Sequence, residues 1–178
     1  FGFGYSAMNY IGGDFTILPY SALPQGKNSV SDFIPVARIT DLLTSPGETV
    51  EFDGQTLTYP EIKLMYWAGG NPFHHHQDLG RLMKAWRRPD TIIVHEWCWN
   101  SLAKRGDIVL PCTTPLERQD IAMTPRDPYI ISMAQLTEPY AQSRNDYEIF
   151  AGIAKELGIF EAFTNGKSDV EWQCKIYE

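Results

Sequence analysis

The sequence predicts an α/β fold: a Rossmann-like, doubly wound, mainly parallel sheet preceded by an irregular N-terminal extension. Three short apolar runs, at residues 62–68, 91–94 and 107–110, have the length and composition of sheet strands. Helical patterns separate these runs, and strands that alternate with helices indicate a parallel sheet with right-handed crossovers. Before residue 60, by contrast, turn residues dominate the chain.

These patterns divide the chain into three parts. Residues 1–60 are the irregular, turn-rich lead, residues 61–160 are the Rossmann-like cofactor-binding domain, and residues 161–178 start a following segment. An isolated domain rarely carries so long an irregular lead. We therefore expect residues 1–60 to wrap around neighbouring domains.

The lead contains two predicted elements. Residues 36–43 favour a short helix. The Asp53-Gly54 pair within residues 51–57 predicts a hairpin, because these residue types adopt the positive φ angles of a tight turn. Turns are also predicted at residues 12–14 and 45–47.

The predicted domain begins with a strand and a helix. Residues 62–68 are almost continuously apolar, which predicts a strand buried on both faces. Gly69-Gly70-Asn71-Pro72 ends that strand, and the helix that follows stops at Pro89. The predicted buried face of this helix carries Leu79, Leu82, Met83 and Trp86.

The alternation continues through two more strands. Residues 91–94 and 107–110 predict the second and third strands, with a short helix at 101–104 between them. Residues 129–133 form a possible further strand.

The last clear element is a helix over about residues 145–157. Asn145 and Glu148 have the spacing of a capping box, which predicts where this helix begins. Its predicted buried stripe comprises Ile149, Phe150, Ile153, Ala154 and Leu157.

Composition excludes several classes of protein. Hydrophobic residues make up 43% of the chain and charged residues 21%, as in a folded globular protein. The formal net charge of −7, without a basic stripe, argues against nucleic-acid binding. No apolar run approaches the ~20 residues of a membrane-spanning helix. The chain starts at Phe1, so we expect further sequence before it, and the compartment stays undecided.

Motifs for autonomous catalysis or metal binding are missing from the sequence. It contains no nucleophile elbow, Walker loop or Cys-x-x-Cys. Adjacent side chains diverge on a strand or a helix, so His74-His75-His76 is a poor metal site. Cys98, Cys112 and Cys174 lack metal-type spacing and are interpreted as ordinary buried thiols.

Ligands of a doubly wound sheet bind beyond the carboxyl ends of its strands, so three segments are candidate sites. After the first strand, Gly69 and Gly70 would let a phosphate approach, although a simple tight turn is the alternative. After the second, Glu96 could accept from ribose hydroxyls or be a solvated strand-end acid. After the third, hydroxyl groups and Arg118 could line a phosphate or guanine site, or form ordinary turns.

The longest distinctive stretch runs from Tyr66 through Gly-Gly-Asn-Pro-Phe-His-His-His-Gln-Asp to Leu79. Together with Asp107–Pro111, Leu116–Ile121 and Ser143–Tyr147, it resembles the molybdopterin oxidoreductases of the dimethyl sulfoxide reductase family. The branch that it resembles most is that of the biotin sulfoxide and trimethylamine N-oxide reductases. The stretch from Glu96 departs from that family, where an Asp-containing, Thr-rich segment is common.

The resemblance implies an internal fragment of a larger enzyme that holds molybdenum with bis-molybdopterin guanine dinucleotide. This fragment would grip the guanine dinucleotide end of one molybdopterin, with His95 and Glu96 facing the ribose or guanine and Asp146 accepting from guanine. No catalytic residue and no molybdenum ligand can be transferred to this chain. The cofactor contacts that the resemblance implies are Gly69, Gly70, Asn71, Pro72, His74, His75, His76, Gln77, His95, Glu96, Arg118 and Asp146.

The parent reaction implied by the resemblance is two-electron oxygen-atom removal from an S-oxide or N-oxide, such as biotin sulfoxide, dimethyl sulfoxide or trimethylamine N-oxide. Its partners would be the remaining domains, an electron donor protein and that small substrate. The fragment alone is expected to lack the cofactor and to be inactive. Two alternatives remain open: a stand-alone Rossmann-like nucleotide-binding module without molybdenum, and an α/β interaction domain whose loops bind no ligand.

Overall fold

The chain divides into two compact units. A computed structural model describes residues 23–24, 26–27, 29–30, 33–122 and 129–177. One unit comprises residues 26–112, and the other comprises residues 113–178 with the first 25 residues. The predicted division at residues 60 and 160 remains a prediction, and the predicted turn at 12–14 lies outside the described residues.

A short helix and a hairpin precede the parallel sheet of unit 26–112, as predicted. A 3₁₀ turn over Val36–Arg38 leads into α1 (Ile39–Thr44). Strands β1 (Thr49–Phe52) and β2 (Gln55–Thr58) pair in antiparallel fashion. The Asp53-Gly54 pair between them has φ angles of 50° and 73°, the conformation that a two-residue primed turn requires.

A parallel three-stranded sheet forms the centre of unit 26–112. Its strands are β3 (Leu64–Ala68), β4 (Thr91–Glu96) and β5 (Ile108–Pro111), and they lie side by side in chain order. The predicted α/β class and parallel pairing are confirmed. Among these three strands the order does not reverse, so the doubly wound, Rossmann-like detail stays a prediction.

Helical segments cross between these strands. Two short helices, α2 (Pro72–His75) and α3 (Leu79–Ala85), lie between β3 and β4. The connection from β4 to β5 contains a 3₁₀ turn at Ala103–Arg105 where a short helix was predicted at 101–104. Asn100 Oδ1 accepts from the backbone N–H groups of the two residues that begin this turn, which leaves little chain for a longer helix.

The apolar core of this unit lies against the central strand, β4. Val94 of β4, Leu82 of α3 and Leu102 are fully buried. Burial of such side chains stabilises the unit by roughly 1.5–3 kcal/mol each relative to exposure. The buried cluster consists of Leu43, Phe73, Leu82, Ala85, Trp86, Ile92, Val94 and Leu102.

Two predictions of burial are wrong in this unit. Strand β3 is not buried on both faces, since Leu64 is 58% exposed and the middle of the strand is half-buried. The reason is that β3 lies at an edge of the described sheet, whereas β4 has neighbours on both sides. On α3, Leu79 and Met83 are exposed. Leu79 is the first residue of the helix, and Met83 lies outside the row of Leu82, Ala85 and Trp86 that enters the core.

The described part of the other unit consists mainly of helices. They are α4 (Asp146–Glu156), α5 (Phe160–Thr164) and α6 (Asp169–Tyr177). The possible strand near 129–133 is confirmed as β7 (Ile131–Met133), which pairs in antiparallel fashion with β6 (Asp120–Ala122). In the described ranges, no helix is both long and apolar enough to cross a membrane.

Helix α4 begins where the sequence predicts. Glu148 accepts a hydrogen bond from the backbone N–H of Asn145 at 3.1 Å and completes the capping box. Ile149 and Ala154 are buried as predicted, but Leu157 is 68% exposed. Leu157 follows the last helical residue, so its side chain leaves the buried stripe.

The prediction that the cysteines are ordinary buried thiols is also wrong. All three are free, Cys98 and Cys174 are exposed, and Cys112 is partly exposed. Cys98 lies in the loop after β4, and Cys174 lies on α6; neither residue belongs to the apolar cluster of the core.

Candidate functional site

The carboxyl ends of the three parallel strands are level with one another. Ala68, the last residue of β3, pairs with His95 on β4, and Glu96 pairs with Pro111 on β5. Gly69 therefore leaves the sheet beside the end of β4. The register thus brings the first and second predicted segments, Gly69–Pro72 and His95–Glu96, to one edge of the sheet.

The glycine loop after β3 has an open, left-handed backbone. Gly69 and Gly70 have φ angles of 82° and 71°, which side-chain-bearing residues rarely adopt. A Cβ atom on Gly69 would meet nothing within 4 Å, so the backbone there is accessible to a ligand. The indole N–H of Trp67 donates to the Gly70 carbonyl at 3.1 Å, and its ring packs against Trp86 of the core. The loop is open on one side and held by the core on the other.

Asn71 joins the loop after β3 to the loop after β4. Its Oδ1 accepts from the backbone N–H of Phe73 at 3.0 Å and caps α2. Its amide and the Ser101 hydroxyl hydrogen-bond reciprocally, at 3.1 and 3.2 Å. Pro72 is fully buried at the first turn of α2, where its fixed φ favours the helix. Pro72 therefore contributes to the loop by stabilising the backbone conformation at the start of α2.

His95 is buried and its ring is held in place. It is 3% exposed, and its Nε2 lies 2.6 Å from the Tyr66 hydroxyl. The two rings also make an edge-on contact, with centroids 5.3 Å apart. These contacts between neighbouring strands fix the orientation of His95 at the edge of the sheet.

Glu96 is a buried acid at the same edge. It is 8% exposed, so most of its surface is shielded from water. Its backbone carbonyl accepts from the Cys112 N–H at 3.2 Å. Among the described residues, the buried side-chain polar atom without a hydrogen-bond partner is Gln173 Oε1, so the Glu96 carboxylate is not an unsatisfied buried group. A carboxylate at this edge can accept from a hydroxyl or N–H donor of a ligand.

The segment His74–Gln77 differs from His95 and Glu96, because none of its side chains is fully buried. His74, His75 and Gln77 are exposed. His76 is half-buried, and its Nε2 lies 3.3 Å from the Thr40 hydroxyl on α1. Over the described ranges, no three His, Cys, Asp or Glu side chains are grouped as they would be around a metal ion.

Two tryptophans that the sequence analysis did not select follow Glu96. Trp97 and Trp99 are 64% and 66% exposed, although tryptophan is largely buried in most proteins. Their position directly after a predicted strand was the available signal. Exposed indoles can stack on a flat ring.

The third predicted segment belongs to the other unit. Arg118 donates through Nη1 to the Thr113 carbonyl at 2.8 Å and through Nε to Asp120 at 2.9 Å. Asp146 is the exposed first residue of α4. The side chains of Arg118 and Asp146 therefore belong to the same unit.

Sequence reasoning missed Glu117, which fastens this segment. Its carboxylate accepts from the backbone N–H groups of Thr114 and Tyr140, both at 2.8 Å. These hydrogen bonds, the one from Thr114 first, hold the pKa of Glu117 below its ordinary value. The Thr-x-x-Glu spacing of Thr114 and Glu117 was a signal that could have identified it.

Comparisons with known proteins agree on one family. Residues 4–156 match the family model described as "Molybdopterin oxidoreductase". The chain is 44% identical to a biotin sulfoxide reductase of Cereibacter sphaeroides, over 99% of this chain and 24% of that protein. It is 45% identical to a dimethyl sulfoxide/trimethylamine N-oxide reductase of the same organism (82% and 18%). It is 42% identical to a trimethylamine-N-oxide reductase of Haemophilus influenzae (88% and 20%). The chain therefore spans 24% or less of the length of these curated relatives.

One solved structure has a similar fold. Acetylene hydratase from Pelobacter acetylenicus matches with a TM-score of 0.51 and 21% identity, over 58% of this chain and 14% of that one. At this identity the match supports the α/β fold alone.

Proposed function

This chain belongs to the molybdopterin oxidoreductase family, and on that premise we propose that it grips the guanine dinucleotide end of one molybdopterin within a larger enzyme. The observation that carries the proposal is the strand register, which places Glu96, an acid only 8% exposed, beside the open backbone of Gly69 at the carboxyl edge of the sheet. A ribose has hydroxyl donors from which this carboxylate can accept. The open backbone at Gly69, on the same edge, leaves room for the approach of a phosphate.

The residues of this edge fit a nucleotide in their chemistry. His95 and Glu96 would face the ribose or guanine, and Gly69 and Gly70 would meet the phosphates through their backbone. Asn71 would act chiefly by holding the loop, because its amide is already shared with Ser101 and Phe73.

Further contacts are proposed from the polar side chains that follow Pro72 and from two exposed tryptophans. His74, His75, His76 and Gln77 carry hydrogen-bonding groups that could reach a phosphate or a base. Trp97 and Trp99 would offer flat faces to a ring system of the cofactor.

In residues 113–177, Asp146 is the proposed acceptor from the N–H groups of guanine. Arg118 is the proposed basic residue of the same unit. It would act either through Nη2, which has no hydrogen-bond partner recorded in the described ranges, or through the groups that its other nitrogens hold.

The parent enzyme is proposed to reduce a small S-oxide or N-oxide, as the names of the relatives suggest for those proteins. When bound, the molybdenum and its two pterin dithiolenes would supply the two-electron removal of an oxygen atom, with electrons from a donor protein. This chain's own residues would bind and orient the cofactor. The remaining domains would complete the enzyme, and the 178 residues alone would not turn over.

Metal and nucleotide analysis of the full-length protein tests the proposal. We expect about one molybdenum per chain and GMP on acid hydrolysis. A properly matured protein that contains neither would contradict the proposal and favour a nucleotide-binding module without molybdenum.

The contribution of Glu96 can be tested separately. Glu96→Gln removes the acceptor charge, and we expect the full-length protein to lose the intact cofactor faster than wild type, measured as the GMP that acid hydrolysis still yields from the protein. Asp90→Asn is the matched control, because Asp90 is an exposed acid next to the opposite end of β4. Equal GMP retention in the two variants would remove Glu96 from the site.

A further inference from the structure

We propose that Arg118 is a positioning residue that acts through Thr113 on the N-terminus of α4. Asp146, the first residue of α4, is the side chain whose place is thereby fixed. The inference rests on the proposed function, in which Asp146 accepts hydrogen bonds from guanine. In this inference Arg118 does not contact the cofactor itself and instead fixes the position of Asp146, which does.

The guanidinium of Arg118 is held by protein groups on two of its three nitrogens. Nη1 donates to the Thr113 carbonyl at 2.8 Å, and Nε donates to Asp120 at 2.9 Å. The Arg118 side chain is 23% exposed and that of Asp120 is 34% exposed. Charge-assisted hydrogen bonds of this kind are stronger than neutral ones, so the guanidinium is firmly oriented.

Thr113 carries this orientation to the residues that precede α4. It is 4% exposed, and its hydroxyl lies 3.4 Å from Nη1 of Arg118 while donating to Oδ1 of Asn145 at 3.0 Å. Its backbone N–H donates to the Arg144 carbonyl at 3.1 Å. Thr113 is therefore fastened to the two residues just before Asp146.

Asn145 completes the connection. Its backbone N–H donates to Glu148, and its Nδ2 donates to Asp169 at 2.7 Å. The amide thus has an acceptor that receives from Thr113 and a donor that gives to the start of α6. Both ends of the side chain are specified, so the cap of α4 has one orientation.

The charges at this helix end favour a base over a phosphate. Asp146 and Glu148 lie in the first turn of α4, and Asp169 hydrogen-bonds to its cap residue. These acids suit N–H donors such as those of guanine and repel a phosphate. Arg118, which reaches this helix end through Thr113, is itself paired with Asp120. This distribution supports a structural task for Arg118.

The test uses the full-length enzyme and two pairs of variants. Thr113→Val removes the hydroxyl with little change in shape, and Thr113→Ser retains it. Arg118→Lys keeps the charge but cannot hold two partners in the same fork. Asp120→Asn weakens the ion pair at Nε and leaves the bond to Thr113, so we expect it to change both measurements less than Arg118→Lys does. For each variant we would measure the rate at which the intact cofactor dissociates well below the melting temperature, followed as the decline in protein-bound GMP found on acid hydrolysis. We would also measure hydrogen exchange of the amides of residues 145–149.

We expect Thr113→Val and Arg118→Lys to lose the cofactor about tenfold faster, a factor that corresponds to ~1.4 kcal/mol. Exchange at residues 145–149 should rise in the same two variants, and Thr113→Ser should restore both values. If Arg118 instead contacts the cofactor through its charge, Arg118→Lys will retain GMP, or Thr113→Val will behave as wild type. Either result overturns the inference while the proposed function stands. A wild-type enzyme without GMP would overturn both.

Discussion

Each of the two compact units is stabilised internally by a different kind of interaction. In residues 26–112, buried apolar side chains such as Leu82 and Val94 pack against a parallel sheet. In residues 113–177, side-chain hydrogen bonds from Glu117, Arg118 and Asn145 fasten the loops. Apolar packing depends on volume and is indifferent to charge, whereas hydrogen-bonded clamps depend on exact donors and on protonation. Substitutions should therefore be felt through size in the first unit and through polarity in the second.

The largest effect is expected from a cavity in the first unit. Leu82 is fully buried, so Leu82→Ala should lower the free energy of unfolding by ~2–5 kcal/mol. Leu157→Ala in the second unit removes a side chain that is 68% exposed, and should change it by less than ~0.5 kcal/mol. Urea unfolding of the full-length protein, followed by hydrogen exchange in β4 and α4, measures both. An equal decrease in the free energy of unfolding for the two variants would show that the stability of the first unit does not depend on its apolar core.

A smaller effect, of opposite sign in the two units, is expected from adding one methyl group. A Cβ on Gly106 would lie 2.8 Å from Cγ2 of the buried Val94, so Gly106→Ala should destabilise by ~1–3 kcal/mol. In α4, a Cβ on Gly152 meets nothing within 4 Å, and Gly152→Ala should stabilise by ~0.5–1 kcal/mol. Thermal unfolding compares the two, and a stabilising Gly106→Ala would contradict close packing at β4.

The polar unit is tested by the loss of a helix cap. Asn145→Ala removes the side-chain bonds to Thr113 and Asp169, and should cost ~0.5–2 kcal/mol. Gln142→Ala is a control at an exposed residue of the same unit whose side chain makes no hydrogen bond in the described part of the chain. Local hydrogen exchange at the start of α4 is the measurement, and no change there would argue that the cap is redundant.

The smallest effect is a dependence on pH that only the polar unit should show. Backbone hydrogen bonds hold the pKa of Glu117 below its ordinary 4.5. The stabilisation that the ionised Glu117 contributes is therefore complete above pH 4.5. It is lost as the pH falls through the lower pKa that Glu117 has in the folded protein. Hydrogen exchange around residues 114 and 140 should rise in that range in wild type and stay flat in Glu117→Gln. A wild type without this change would exclude the clamp as a source of acid sensitivity.

The sequence was sufficient for elements with local signals. Asp53-Gly54 specified its hairpin, and Asn145 with Glu148 specified the start of α4, because turn and cap geometry depend on a few adjacent residues. Burial was less predictable. The exposure of Leu64 and Leu157 depends on which neighbours cover them, and that information is distant in the chain.

The candidate site followed the same division. The register of β3 and β4 brings Gly69 beside His95 and Glu96, as the parallel pattern led us to expect. Its supporting bonds were not predictable, since Asn71 with Ser101 and Glu117 with Tyr140 join residues far apart in the chain. The periodicity of apolar residues predicts which residues lie at the edge of a sheet. It does not predict which side chains hydrogen-bond to them there.

The reciprocal bond between Asn71 and Ser101 has an evolutionary consequence. Each side chain supplies both a donor and an acceptor to the other, across 30 positions of sequence. A substitution at either position leaves its partner with an unmatched polar group. The two positions should therefore vary together among homologous chains, with small hydroxyl residues at 101 wherever 71 retains its amide.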